Sequence, residues 1–176
     1  MSSAITIKTK PTTRRTSISF NKFTLVEIPS VLSIEEQNSD DPWSQGQFTT
    51  SIENSNNLCY CLSLDGRTIG YLIALLAGDT ADILNIGIDS EFRRQGHGTG
   101  LLNHLIEELK KRNIGEILLE VRAGNKSAIQ FYKRQGFEEI SVRKNYYTKN
   151  SKNQSHREDG IMMRINIPST EIKNAL

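Results

Sequence analysis

The sequence predicts an α/β (α+β) fold, in which an antiparallel meander of strands precedes helices and further strands. Residues 58–64 and 68–77 are apolar, strand-like segments, and Asp65-Gly66 between them is a strong β-hairpin signal. A turn at Gly78-Asp79 leads into a third strand, residues 83–88. After this strand the apolar spacing changes from a period of two to a period of about 3.6, which indicates a helix.

The second half of the chain is predicted to alternate between helices and strands. Its first helix carries one apolar stripe, made of Leu101, Leu102, Leu105, Ile106 and Leu109. Basic residues in the last turn suit the negative end of the helix dipole, and the helix ends at Asn113. The later elements are a strand over residues 116–121, a helix over 125–135 closed by Gly136, and strands from Phe137 and over 161–165.

The segments outside these elements carry weaker signals. A strand-like segment from about Phe23 is followed by a short helix over residues 34–37 and a turn over 40–44. Ser44 has Gln47 three residues later, which is a capping box, so a second short helix is expected to begin there. The polar stretch 148–159 is predicted to be a long exposed loop.

Length and charge divide the chain into one domain and two tails. A chain of 176 residues suits a single domain, which we assign to residues 23–167, between tails of residues 1–22 and 168–176. Residues 1–26 contain five basic residues and no acid, which leaves 17 basic and 20 acidic residues in the remainder. A solvated, disordered tail is the main interpretation of this basic start. A weak RNA or ribosome contact and a transit peptide are the alternatives.

Composition argues against several classes of protein. The longest apolar stretch, residues 69–77, is far shorter than the roughly 20 residues of a membrane span, and no secretory signal follows Met1. A cytoplasmic protein with no membrane partner is therefore predicted. The two cysteines, Cys59 and Cys61, are expected on the same face of a strand. Since no second Cys or His pair stands at metal-ligand spacing, no metal site is expected.

Residues 86–100 combine a strand end, a basic loop, glycines and a helix start, which is the order that a phosphate site needs. Glycines let backbone N–H groups approach an anion, and a helix N-terminus offers unpaired donors with partial positive charge. Arg93 and Arg94 add full positive charges. The pattern favours a pyrophosphate site over a plain Gly-rich turn at the start of a helix.

Two other nucleotide motifs do not fit this segment. The dinucleotide fingerprint needs G-x-G-x-x-G directly after its strand, but Leu101 stands where the third glycine belongs, and seven residues separate the strand from Gly96. The P-loop needs Gly-Lys followed by Ser or Thr, which the sequence lacks.

The string RRQGHG at residues 93–98 fits the R/Q-x-x-G-x-G/A signature of the GCN5-related N-acetyltransferase (GNAT) superfamily, which the chain resembles over about residues 23–167. Within the superfamily the chain resembles the bacterial branch that acetylates the N-terminal alanine of a ribosomal protein. The segments that carry this closer resemblance are residues 42–44 (PWS), 84–88 (LNIGI), 119–125 (LEVRAGN), 128–132 (AIQFY), 136–137 (GF), 143–147 (RKNYY) and 157–159 (RED).

The resemblance implies a mixed, mostly antiparallel sheet flanked by helices and splayed between the strands that end near Ile88 and Val121. Acetyl-CoA would be the co-substrate and would lie in the gap. The residues implied to contact it are Ile86, Gly87 and Ile88 at the pantetheine arm and thioester, Arg94, Gln95, Gly96, His97, Gly98 and Thr99 at the pyrophosphate, and Asn125.

Glu120 and Tyr132 are the candidate catalytic residues. An amine must lose a proton when it attacks a thioester, and the departing thiolate is helped by gaining one. Glu120 lies on the polar side of an otherwise apolar strand, where a partly desolvated carboxylate can accept a proton, and the resemblance implies the same role. Tyr132 carries a phenol that can reach the sulfur. A salt-bridged glutamate and a tyrosine packed on the sheet are the structural alternatives.

The acceptor that the resemblance implies is the N-terminal alanine of the eighteenth protein of the small ribosomal subunit. An α-amine has a reference pKa of about 7.7–8.0, against about 10.4 for lysine, so a modest base suffices for it. Trp43, Tyr146 and Tyr147 are candidates for the walls of a peptide groove. A GNAT enzyme that acetylates a lysine or a small-molecule amine is one alternative, and a non-catalytic acetyl-CoA-binding module is another.

Overall fold

The computed structural model describes residues 16–151 and 154–168, which form one seven-stranded sheet with helices on both faces. The strands are β1 (Ile18–Lys22), β2 (Asn57–Leu64), β3 (Arg67–Ala77), β4 (Thr80–Ile88), β5 (Glu116–Arg122), β6 (Glu138–Ser151) and β7 (Gln154–Asn166). The α-helices are α1 (Ile28–Asn38), α2 (Gln45–Glu53), α3 (His97–Lys111) and α4 (Lys126–Arg134). Within this described part, no helix is both long and apolar enough to cross a membrane.

The sheet is mixed and mostly antiparallel, as the sequence analysis predicted. Its strand order is β1-β2-β3-β4-β5-β7-β6, and the pair β4–β5 is parallel whereas the other neighbouring pairs are antiparallel. The predicted hairpin is confirmed: Leu64 pairs with Arg67, and both Asp65 (φ 49°) and Gly66 (φ 84°) have the positive φ of a type I′ turn.

The sheet splays at its parallel pair. The pairing of β4 with β5 runs from Thr80–Glu116 to Ile83–Leu119, but β4 continues to Ile88 and β5 to Arg122. Beyond Ile83 the two strands therefore diverge, and the edge of β4 that faces β5 is left for another partner. This opening confirms the splay that the family resemblance implied.

Two apolar layers hold the helices on the sheet. On one face, α3 buries its predicted stripe, with Leu101, Leu102, Leu105 and Leu109 nearly inaccessible, and α4 packs beside it. On the other face, α1 and α2 cover a second cluster that includes Cys59 and Cys61, which confirms that the two thiols share a face. Both thiols are free, and burial raises the pKa of Cys59 to about 11.

The predicted N-terminal elements are wrong in two respects. The strand lies before Phe23, because Ile18–Lys22 pairs with β2, so these residues belong to the sheet rather than to a tail. Phe23 itself is fully buried, and a capping box of Thr24 and Glu27 then starts a 3-10 turn that leads into α1. The helix predicted over residues 34–37 therefore begins at Ile28, with a proline in its first turn. The predicted tails at residues 1–15 and 169–176 lie outside the described residues.

The predicted long loop over residues 148–159 is also wrong. Backbone pairing of β6 with β7 extends from Glu138–Arg164 to Ser151–Gln154, so most of this stretch is a β-hairpin. Pairing satisfies the backbone N–H and C=O groups without any apolar side chains, which is why a polar sequence concealed two strands.

Candidate active site

A cavity of about 630 Å³ opens where β4 and β5 diverge. Its walls come from β4, β5, the start of α4, the segment between α1 and α2, and the β6–β7 hairpin. Six of the residues predicted from the sequence line it together, namely Trp43, Ile86, Glu120, Asn125, Tyr132 and Tyr147. The fold therefore brings the predicted base, the predicted acid and part of the predicted cofactor site into one space.

Glu120 lies on β5 with its side chain 16% exposed, and its carboxylate is bound on two sides. Arg143 Nη1 donates to Glu120 Oε2 over 2.8 Å. The Tyr147 side chain lies beside Glu120 above Gly160, and interaction with this carboxylate contributes to the raised pKa of Tyr147. Both partners come from β6. The salt-bridged glutamate and the cavity carboxylate, which the sequence analysis treated as alternatives, are thus both present at one residue.

Tyr147 is fixed between Glu120 and Arg122. The Arg122 guanidinium carbon lies 4.4 Å from the centre of the Tyr147 ring, a cation–π distance. Burial, followed by the hydrogen bond to Glu120, raises the pKa of Tyr147, so its hydroxyl keeps its proton. Arg122 also forms an ion pair across the cavity, where its Nη2 atom lies 3.6 Å from Asp41 Oδ2. Sequence reasoning gave Arg122 and Arg143 no role, although both belong to segments that carry the family resemblance.

Tyr132, on α4, is 6% exposed and lines the cavity. Its ring packs against Phe131 and Phe137, with centroid distances of 5.2 and 5.4 Å. Burial raises the pKa of Tyr132, which keeps its hydroxyl protonated at neutral pH. A protonated phenol that lines the cavity can donate a hydrogen bond, or its proton, to a thiolate that leaves there.

Asn125 and the part of β4 beyond Ile83, which does not pair with β5, lie between the cavity and the start of α3. Asn125 caps α4, because its Oδ1 accepts from Ala128 N over 3.1 Å, and this leaves its NH₂ group to donate to a ligand. Gly87 lies against Tyr71, where an added Cβ would be 2.6 Å from Tyr71 Cε1, so the strand needs glycine there. Ile88 ends the strand, and its carbonyl oxygen accepts from Arg93 Nε over 3.1 Å.

The predicted phosphate loop follows β4 and lies beyond the residues that line the cavity. Arg94 (φ 60°) and Gly96 (φ 86°) both have left-handed backbone, and Gly96 precedes the first residue of α3. No side chain among the described residues caps this helix start, so its first N–H groups are available to an anion. Residues 94–99 therefore have the backbone arrangement of an anion site, and Arg94 is exposed beside it.

Arg93 does not have the role that the sequence analysis gave it. Its guanidinium is turned back onto the protein, where Nη2 donates to the Gln37 carbonyl over 3.3 Å and also to Asn38 Oδ1. Together with the bond from Nε to Ile88, these contacts join the end of α1 to the end of β4. Arg93 is thus a structural cation, and Arg94 is left as the arginine that can reach a phosphate.

A buried polar cluster that sequence reasoning missed lies at the base of the cavity. Glu35, on α1, is 3% exposed, and its Oε1 accepts from Trp43 N over 3.0 Å and from Asn85 Nδ2 over 3.2 Å. The Tyr71 hydroxyl donates to Glu35 Oε2, and burial together with this carboxylate raises the pKa of Tyr71. A signal was present in the sequence, since Glu35 lies four residues after Val31 on the apolar side of α1.

Replacing Glu35 with alanine is expected to lower the free energy of unfolding by about 2–4 kcal/mol, because one buried donor, the Tyr71 hydroxyl, and two partly buried donors lose their acceptor. Urea unfolding measures this change. The matched control is Glu36→Ala, which removes the neighbouring exposed carboxylate and should change the stability by no more than about 0.5 kcal/mol. Equal stabilities of the two variants would show that the cluster does not hold the fold.

The sheet splayed beside a cavity and the uncapped start of α3 belong to a fold that this chain shares with acetyltransferases. The chain belongs to the GNAT family of acetyltransferases, whose model matches residues 28–137. It is therefore an N-acetyltransferase, and members of this family use acetyl-CoA.

The chain is similar to known N-acetyltransferases of bacteria. It is 36% identical over 141 residues to the [ribosomal protein bS18]-alanine N-acetyltransferase of Escherichia coli (strain K12), covering 80% of this chain and 92% of that protein. The crystal structure of the ribosomal-protein-S18-alanine N-acetyltransferase from Escherichia coli superposes with a TM-score of 0.79 at 33% identity, covering 91% and 99% of the two chains.

A more distant structure shares the fold. Arabidopsis thaliana NAA60, solved in complex with acetyl-CoA, superposes with a TM-score of 0.73 at 17% identity and covers 86% of this chain and 99% of its own. The residues of the present chain fit that ligand, because the edge of β4 faces the opening and the start of α3 has no capping side chain. Within residues 16–151 and 154–168, no three His, Cys, Asp or Glu side chains cluster as metal ligands.

Proposed function

We propose that this protein acetylates the N-terminal α-amine of the ribosomal protein bS18, on an alanine, with acetyl-CoA as the donor. The observation that carries the proposal is the cavity at the splay, where Glu120 and Tyr132 line one space in a chain similar to an enzyme named for that reaction. A cytoplasmic location is consistent with a ribosomal substrate and stays a prediction.

Acetyl-CoA would enter along the outer half of β4. The backbone of Ile86, Gly87 and Ile88 would hold the pantetheine arm, and residues 94–99 would hold the pyrophosphate with their N–H groups and the Arg94 guanidinium. The NH₂ group of Asn125 would donate to the cofactor from the other wall. When bound, the cofactor supplies the thioester that the amine attacks.

Glu120 and Tyr132 would move the protons of the transfer. The Glu120 carboxylate would accept a proton from the α-ammonium group, directly or through water, and so provide the neutral amine. The Tyr132 hydroxyl would then donate its proton to the departing sulfur, and the second proton that the nitrogen loses as the amide forms would return to the Tyr132 oxygen, directly or through water.

The walls of the cavity suit a peptide terminus. Asp41 and Glu158 line the opening together with Trp43 and Tyr147, so a cationic amine meets both carboxylates and aromatic rings there. The lower reference pKa of an α-amine, compared with lysine, suits a base that is already engaged by Arg143. These features support a terminal amine as the acceptor.

Replacing Arg94 with alanine is expected to raise the Kd for acetyl-CoA about tenfold, since a charge-assisted contact to phosphate is lost, while kcat at saturation stays nearly the same. Isothermal titration calorimetry measures the Kd. The control is Arg112→Ala, which removes an exposed cation at the opposite end of α3 and should leave the affinity unchanged. An unchanged Kd for the Arg94 variant would remove that residue from the cofactor site.

Mass spectrometry of two peptides tests the proposed acceptor. One peptide carries the alanine terminus of bS18 with a free α-amine, and the other has the same sequence with a blocked terminus and an added lysine. Acetylation of the free terminus alone is expected. Modification of lysine alone would make the protein a side-chain acetyltransferase, and binding of acetyl-CoA without either product would indicate a non-catalytic module.

A further inference from the structure

The β6–β7 hairpin contains a large bulge beside the cavity. Arg143 pairs with Gly160 and Tyr147 pairs with Glu158, so residues 144–146 of β6 lie opposite Asp159 alone. Asn145, at the centre of the bulge, has left-handed backbone with φ 54°. Asparagine adopts this conformation more readily than other residues with a side chain, but the bulge interrupts the ladder, so its backbone groups need other partners.

Asp159 supplies the main contacts. Its Oδ1 accepts from Asn145 N over 2.8 Å, and its Oδ2 accepts from Lys144 Nζ over 3.0 Å. These two contacts lower the pKa of the Asp159 carboxyl, with the backbone hydrogen bond making the larger contribution. From the same strand, Arg157 Nη1 donates to the Asn145 carbonyl over 3.1 Å. Both polar groups of the Asn145 backbone are therefore held by side chains of β7.

The bulge decides where Tyr147 lies. Opposed residues of two strands share a face, and Glu158 and Gly160 are two positions apart, so Arg143 and Tyr147 emerge on the same face. In a ladder without the two extra residues, residue 145 would occupy the place opposite Glu158 that Tyr147 now holds. The bulge thus puts the Tyr147 ring against Arg122 and beside the Glu120 carboxylate, since both Tyr147 and Glu120 border Gly160.

Gly160 leaves room for this arrangement. A Cβ at Gly160 would lie 3.0 Å from Glu120 Oε1 and 3.3 Å from Tyr147 Cε2. Strand β7 therefore has two roles: Asp159 stabilises the bulge, and the missing side chain of Gly160 leaves space for Tyr147 beside Glu120. Asp159 itself contacts the bulge and not the carboxylate.

We propose that Asp159 is a positioning residue for acetyl transfer, which holds the 144–146 bulge so that Tyr147 stays on Glu120 at the acceptor end of the cavity. Its effect on catalysis rests on the function proposed above. The effect on Tyr147 is a property of the folded chain and does not depend on the identity of the acceptor.

Kinetics of three single variants test the catalytic part. Asp159→Ala is expected to lower kcat/KM for the alanine peptide at least tenfold, because small displacements of groups around reacting atoms are costly, while the Kd for acetyl-CoA is unchanged. Asp159→Asn should recover most of the loss, since its amide oxygen can still accept from Asn145 N. Lys144→Ala, which removes only the ion pair, should stay within about twofold of the wild type.

A double-mutant cycle separates positioning from a general structural role. If Asp159 acts through Tyr147, adding Asp159→Ala to the Tyr147→Phe variant should cost less than about twofold further. The proposal would be overturned if the loss of kcat/KM in the double variant equalled the product of the losses in the two single variants. It would also be overturned if the Asp159→Ala variant were as active as the wild type.

Crystal structures of Asp159→Ala and Lys144→Ala test the proposal without any acceptor. Tyr147 is expected to leave Glu120 in the first variant and to stay in the second. A Tyr147 hydroxyl that remains on Glu120 in the Asp159→Ala structure would overturn the positioning role. Failure of the wild type to acetylate the alanine peptide would instead count against the proposed function, and the structures would still decide the role of Asp159.

Discussion

Replacing Glu120 with glutamine is expected to lower kcat by about 10²–10⁴-fold, the usual contribution of a general base. Glutamine keeps the shape of the side chain and an oxygen that can accept from Arg143, but it cannot take a proton from the amine. Because Glu120 would act in the chemical step, the Kd for acetyl-CoA should stay within about twofold of the wild type. Steady-state kinetics with the alanine peptide and calorimetry with the cofactor measure the two quantities.

Glu116→Gln is the matched control for this experiment. Glu116 is at the other end of β5 and is also paired with an arginine, since Arg164 Nε lies 3.5 Å from its Oε1. It does not line the cavity, so its replacement should leave kcat within about twofold of the wild type. If the Glu120 variant were as active as this control, the structural alternative of a salt-bridged glutamate would be correct.

Replacing Tyr132 with phenylalanine is expected to lower kcat by about 10²-fold, with little change in the stability of the protein. Phenylalanine keeps the ring that packs between Phe131 and Phe137 and removes only the hydroxyl that would protonate the sulfur. Burial raises the pKa of Tyr132 above its ordinary value of 10.0, so in the wild type this hydroxyl stays protonated across the neutral range. Single-turnover kinetics isolate the chemical step, and thermal unfolding checks the stability.

Tyr60→Phe provides the comparison for Tyr132. Tyr60 is a partly buried tyrosine on β2 whose ring packs against His104 with a centroid distance of 4.6 Å, far from the cavity lining. Its variant should turn over at the wild-type rate. A Tyr132 variant with the same rate would mean that the tyrosine serves only to pack α4 onto the sheet.

The central part of the fold could be predicted from local patterns. The hairpin follows from Asp65-Gly66, because these two residues accept the positive φ that a two-residue turn requires. Helix α3 follows from its apolar stripe, because apolar residues recur there at helical spacing. The mixed sheet and its splay did not follow from these patterns. They came from the family resemblance, since the pairing of β4 with β5 joins residues far apart in the sequence.

The two ends of the domain could not be predicted because their elements depend on tertiary pairing. β1 has five residues with no full apolar alternation, and it is a strand because β2 pairs with it. The strands predicted from Phe137 and over residues 161–165 are parts of β6 and β7, but the polar stretch between them, residues 148–159, gave no periodic signal that it continues both strands. The capping box of Thr24 and Glu27 was a readable signal for the start of the helical segment.

The sequence predicted which residues line the candidate site better than it predicted the contacts among them. Glu120, Tyr132 and Asn125 line one cavity, as their shared motif segments suggested. The contacts of Arg143 with Glu120, and the turning of Arg93 towards α1, depend on side chains that meet across separate elements. Spacing along a chain carries no information about such contacts.

A crystal structure with a bisubstrate analogue, in which an alanine peptide is linked through its α-nitrogen to coenzyme A, tests the central claim most directly. The account predicts that the linked nitrogen lies within hydrogen-bond reach of Glu120, directly or through one water, that the sulfur lies next to the Tyr132 hydroxyl, and that the pyrophosphate lies on the N–H groups of residues 96–99. An analogue whose pyrophosphate lies there but whose peptide leaves the cavity without approaching Glu120 would contradict the account.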